Sequence, residues 1–125
     1  MELNFEKMGG LVPAIVQDYS TGKVLMLGFL NPEAWKKTQE TGLLHFFSRT
    51  RQKIWLKGET SGHHLVVKEV YVDCDEDTLL FKVEPKGPVC HKGYFSCFYR
   101  KLENEEWKVV EEKVYNPEEV YGKKA

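Results

Sequence analysis

Only three of the 125 residues are cysteines, and no two of them form a C-x-x-C pair. That absence excludes zinc-finger and thioredoxin-type signatures, and an odd count leaves one thiol over in any disulfide scheme. No apolar run approaches the roughly 20 residues that span a bilayer. The opening residues MELNFEK lack the charged-then-apolar pattern of a secretory leader. The expectation is a cytoplasmic protein without a membrane partner, whose thiols stay reduced. An excess of one charge is missing too: 18 Lys and Arg stand against 19 Asp and Glu, for a formal net charge of -1. This argues against a non-specific nucleic-acid binder, which would be basic overall, but leaves room for a local basic pocket. Repeats, low-complexity stretches and linkers are also absent.

What is present fits one compact domain over residues 1–125, with 42% hydrophobic and 30% charged residues. A chain of this size buries roughly two thirds of its unfolded surface and needs no disulfide to fold. Residues 11–17 and 23–30 read as a β-hairpin around the turn Asp18-Tyr19-Ser20-Thr21-Gly22. Pro13 predicts that the first strand lies at an edge or begins late. Asn31-Pro32-Glu33 is a helix start and Gly42 a stop. Residues 43–48, 53–56, 65–72 and 78–83 read as strands, and residues 94–100 and 107–114 as a last hairpin around Glu103-Asn104-Glu105. Asn116-Pro117 can open a short terminal helix. The sum is α+β: a β-rich single domain of twisted antiparallel strands with one main helix at about residues 31–41.

The cysteines are spaced Cys74-x15-Cys90-x6-Cys97. Three thiolates with a fourth position left to water can build a catalytic zinc site. Zinc lowers the pKa of its bound water to about 7, which makes hydroxide available at neutral pH. By spacing alone, small buried apolar cysteines fit as well. The neighbours bear on that choice. Asp73, Asp75 and Asp77 surround Cys74, and three carboxylates this close repel one another unless a cation sits among them. Oxygen ligands of this kind suit Mg²⁺, although a solvated acidic turn has the same composition. In an extended segment, Cys74 and the aspartates would face opposite ways. His91 follows Cys90 and is a candidate for ligation, proton transfer or hydrogen bonding to bound water. His63 and His64 are adjacent and would point apart in a strand.

A basic and polar group precedes the cysteines. Arg49 and Arg51 lie two apart, on one side if the segment is a strand, and suit bidentate capture of phosphate. Trp55, Lys57, Glu59 and Ser61 follow, within Trp55-Leu56-Lys57-Gly58-Glu59-Thr60-Ser61-Gly62. An aromatic face, a cation, a carboxylate and hydroxyls with two glycines read as a ligand loop; a polar hairpin with an anchoring tryptophan is the plainer alternative.

Taken together, these segments resemble the phosphoribosyl-AMP cyclohydrolase family. The resemblance rests on Gln17-Asp18, Thr21-Gly22-Lys23-Val24-Leu25-Met26-Leu27, Ser48-Arg49-Thr50-Arg51, the Trp55-to-Gly62 loop, Asp73-Cys74-Asp75-Glu76-Asp77 and Gly87-Pro88-Val89-Cys90-His91-Lys92-Gly93-Tyr94-Phe95-Ser96-Cys97-Phe98. They stand in the family's order over about residues 11–98, and Lys92 departs from the usual threonine. The resemblance implies a stand-alone enzyme of histidine biosynthesis that hydrolyses the N1–C6 bond of a small-molecule substrate, N1-(5-phosphoribosyl)-AMP. It implies a homodimer with one zinc per subunit, held by Cys74 of one chain and Cys90 and Cys97 of the other. It also implies Mg²⁺ at Asp73, Asp75 and Asp77. His91 is then the candidate for moving a proton. Arg49, Arg51, Trp55, Lys57, Glu59 and Ser61 are the candidates for substrate contacts. Two other readings are a non-catalytic zinc-stabilised binding domain and a nucleobase deaminase; the latter's H-x-E and P-C-x-x-C pattern is absent.

Overall fold

The computed structural model describes residues 2–121. After a single 3₁₀ turn at Glu6–Met8, the chain runs through β1 (Val12–Asp18), β2 (Val24–Leu30) and α1 (Pro32–Thr41). Then come β3 (His45–Ser48), β4 (Lys53–Leu56), β5 (Leu65–Val72), β6 (Leu79–Pro85), β7 (Arg100–Glu103), β8 (Glu106–Val109) and α2 (Pro117–Tyr121). The α+β class and the main helix stand as expected. The central sheet is mixed rather than wholly antiparallel. Its order is β2-β1-β6-β5, and β1 runs parallel to β6. The chain leaves β1 through a hairpin, a helix and further strands before returning beside it, and a long crossover of that kind allows parallel pairing.

Pro13 is therefore not on an edge strand. It pairs with Phe29 on β2, while pairing with β6 begins only at Ala14. The proline sits just before the second ladder starts, so it interrupts only one neighbour. Val12, Ala14, Val16 and Asp18 alternate inward along β1, whereas Ile15 is exposed. The inward face meets α1 and the β3–β4 hairpin over a core that includes Leu25, Leu44, Phe46, Leu79, Phe81 and Val83. Gly28 makes this layer fit: a Cβ there would lie 2.5 Å from the Phe46 ring.

The caps of α1 are those its sequence predicts. The Asn31 side chain accepts the Ala34 N–H at 2.8 Å, and Pro32 fills the first turn. Gly42 closes the helix with φ at 74° and donates to Thr38 O. The helix buries Ala34, Trp35 and Thr38. At the far end of the chain, the Asn116 side chain accepts the Glu118 N–H at 3.0 Å and opens α2. The last hairpin is shorter than its apolar pattern predicts: only four residues pair on each side, and both of its strands are exposed throughout. Residues 94–99 form no strand; within them Cys97 N–H donates to Leu25 O of β2.

Candidate active site

Cys90 and Cys97 come together. Their loop is closed by Cys90 N–H to Tyr94 O at 3.0 Å and Gly93 N–H to Cys90 O at 3.0 Å. Cys97 N–H donates to Leu25 O at 2.8 Å, and Ser96 Oγ donates to Val24 O at 2.8 Å. The Cys90 residue is buried and the Cys97 residue exposed. Nevertheless, burial around its sulfur, with the adjacent Cys90, pushes the Cys97 thiol up to about 11, while Lys57 pulls the other way. Two adjacent sulfurs are a donor set that fits a soft divalent cation.

Cys74 does not join them within one chain. Across the sheet, Val72 aligns with Leu79, Leu79 with Ala14, and Ala14 with Gly28. Cys74 follows β5 on one edge, whereas Cys97 is anchored to β2 on the other. Three strand spacings of about 4.8 Å put those edges roughly 14 Å apart. Zinc–sulfur bonds of about 2.3 Å require thiolates within roughly 4 Å. One chain of this shape therefore cannot close a three-thiolate site.

The acidic segment is a turn, not an extended strand, so face alternation does not apply to it. Asp73 caps the turn by accepting Asp77 N–H at 3.0 Å and Thr78 N–H at 3.1 Å. The turn brings ligand oxygens of Asp73, Asp75 and Asp77 within 4.8 Å of one another; among the described residues no other group of three or more His, Cys, Asp or Glu does so. Lys7 reaches into this group, at 2.7 Å from Asp75 and 2.9 Å from Asp77. The Lys7 hydrogen bond lowers Asp75 to about 2, and Asp75 and Asp77 in turn raise Lys7. The donor set fits a hard cation, and Lys7 is already the monovalent one. Nothing in the local sequence marks Lys7, which lies far from the aspartates in the chain.

A cleft of about 410 Å³ gathers most of the predicted ligand loop. Arg51, Trp55, Lys57, Glu59, Ser61 and His91 all line it. Ser48 and Thr60 also line it, and the motif reading had not singled them out. Lys57 Nζ donates to Val89 O at 2.7 Å, which ties the cleft to the start of the cysteine loop. Arg49 is not a lining residue. The segment from Arg49 to Gln52 is the turn between β3 and β4, so the two arginines do not share a strand face. Arg49 instead stacks over Phe29 at 4.0 Å. His63 and His64 diverge: His64 Nδ1 lies 3.1 Å from Lys57 O, and His63 meets the Tyr115 ring edge-on.

A mixed-sheet α+β domain with a polar cleft beside a pair of thiols has the architecture of a small-molecule enzyme. The family model for phosphoribosyl-AMP cyclohydrolase matches residues 26–99. A phosphoribosyl-AMP cyclohydrolase of Solibacter usitatus is 56% identical over 100% of both chains. One of Desulforapulum autotrophicum is 53% identical over 97% of this chain and 98% of its own length. The chain also matches 55% of a histidine biosynthesis bifunctional protein of Thermoanaerobacter pseudethanolicus, at 49% identity. The chain belongs to the phosphoribosyl-AMP cyclohydrolase family and is a hydrolase. That sets aside the non-catalytic binding domain. Among the described residues, no helix is long and apolar enough to cross a membrane.

Proposed function

We propose that this enzyme hydrolyses the N1–C6 bond of N1-(5-phosphoribosyl)-AMP in histidine biosynthesis, with zinc at the cysteines and Mg²⁺ at the aspartates. The observation that carries the reading is that one cleft joins Arg51, Trp55, Lys57, Glu59 and Ser61 to His91, the residue next to Cys90. Water adds at C6 and its oxygen becomes the carboxamide oxygen. N1 keeps its ribosyl group and takes a proton as the bond breaks. Bound zinc would supply activated water at neutral pH. His91 is assigned the proton transfer, Arg51 and Lys57 the phosphate contacts, and Trp55 the base. Glu59 and Ser61 supply hydrogen bonds to the sugar. Arg49 acts at most from outside the cleft, through Phe29. The direct test adds phosphoribosyl-AMP to the zinc- and magnesium-loaded protein and follows the ring-opening absorbance change. A rise in product supports the assignment, and no change contradicts it.

The zinc reading requires a homodimer, since Cys74 has to come from a second copy. An exposed apolar row supports this. Leu27, Ile15, Leu80 and Tyr71 are register neighbours straight across the outer sheet face. Leu27 and Tyr71 are each 48% exposed, an apolar surface that a second copy would cover.

Arg51→Ala should raise KM about 10- to 100-fold with a smaller change in kcat, because a charged hydrogen bond to a substrate phosphate is lost. Steady-state kinetics with Arg49→Ala alongside provides the contrast, and an unchanged KM in Arg51→Ala removes the phosphate assignment. Lys7→Met should tighten Mg²⁺ binding roughly two- to five-fold, since an exposed ion pair no longer competes for Asp75 and Asp77. Calorimetric titration with MgCl₂ measures this; weaker binding in the variant makes Lys7 a supporter of the site rather than a competitor.

A further inference from the structure

We propose that residues 111–117 are a strap that positions the loop from Cys90 to Cys97 for its metal, with Tyr115 as the positioning residue. The inference rests on the metal reading above and assigns work to a segment beyond residue 99, where the family-model match ends.

Three strap residues reach the loop. Glu111 Oε1 accepts the Ser96 N–H at 3.3 Å, while its other oxygen pairs with Lys23. Val114 N–H donates to Gly93 O at 2.7 Å. Tyr115 OH donates to Cys90 O at 3.1 Å. The Tyr115 ring stands edge-on to His63, with centroids 5.3 Å apart at 85°. The approach is close: a Cβ on Gly93 would lie 2.6 Å from Tyr115 O. Gly93 also has φ at 99°, so the position needs glycine on both counts.

The Cys90 carbonyl has two lone pairs, and two donors meet it. Gly93 N–H reaches it from within the loop and Tyr115 OH from the strap. Together they fix the peptide plane that follows the Cys90 Cα, and so constrain where its sulfur sits. Cys97 is referenced elsewhere, through Leu25 on β2. The spacing between the two thiols therefore depends on β2 and the strap holding station together. Metal ligands must be held within about 0.5 Å of the productive geometry. Partners outside the ligands change metal affinity about 10- to 100-fold.

Tyr115→Phe deletes the hydroxyl and leaves the ring against His63, so the full-length fold should survive. Three measurements on the full chain test the strap. Zinc release to a colorimetric chelator should be about 10-fold faster in the variant. The thiolate-to-metal band of the cobalt-substituted protein should shift, although circular dichroism stays unchanged. In the metal-free chain, amides of residues 90–97 should exchange hydrogen several-fold faster. An unchanged release rate with an unchanged cobalt band overturns the strap. If the wild-type chain binds no zinc, the metal reading fails by itself. The metal-free exchange then decides: faster exchange in Tyr115→Phe supports the strap, and equal exchange overturns it.

Discussion

Cys97→Ala is expected to abolish zinc retention and to lower kcat/KM by at least about 100-fold, more than loss of an outer partner does. The size follows from what remains. Without Cys97, the loop keeps one thiol, Cys90, and the charged groups that act on Cys97, Lys57 and Glu111, are a cation and a carboxylate already paired to Lys23. His91 lines the cleft and is assigned to the proton. The variant should still fold. Cys97 is an exposed residue, and the hydrogen bond that anchors it to Leu25 uses the backbone N–H, which alanine keeps. Zinc content by atomic spectroscopy, read with the melting temperature, separates loss of metal from loss of fold. Full activity with stoichiometric zinc would falsify the cysteine assignment.

Phe81→Ala should cost about 3–5 kcal/mol, the range for deleting a fully buried aromatic ring. Phe81 is completely buried at the middle of β6, between Val16 of β1 and Val70 of β5. Its ring meets Trp35 of α1 edge-on, with centroids 6.2 Å apart, so the helix and the sheet lose contact together. A domain is stable by only about 5–15 kcal/mol, and this one substitution removes a large share of that. Urea unfolding should show the midpoint falling sharply with an unchanged slope; a small shift would mean that the core collapses around the gap.

The legible features of the fold were local. Asn31, Pro32 and Gly42 mark the ends of α1 because capping is chemistry within a few residues. Residues 65–72 form β5 with the bounds read from the sequence, although a register shift between Val67 and Glu69 breaks the alternation of burial along it. What stayed hidden depends on partners distant in sequence. Pro13 argues for an edge or a late start; the β6 ladder does start late, at Ala14, but nothing near residue 13 signals that β6 is the neighbour. The site divides the same way. Trp55 to Ser61, the longest run of cleft residues, are contiguous in the chain and legible as a group. Arg49 was misplaced because its segment turns instead of extending. Lys7 and Tyr115 act on groups 68 and 25 residues away, and no spacing rule links them to their partners.

The shared site is tested most directly by subunit complementation. Cys74→Ala and Cys97→Ala homodimers should each be inactive. Unfolded together in equal amounts and refolded with zinc, random pairing makes half of the dimers mixed. Each mixed dimer has one of its two sites intact, built from Cys74 of the Cys97→Ala chain and the Cys90–Cys97 pair of the other. Recovery of about one quarter of wild-type activity and zinc is the predicted result. If the mixture stays as inactive as its parents, while wild-type chains treated identically recover, a zinc site completed across two chains is contradicted.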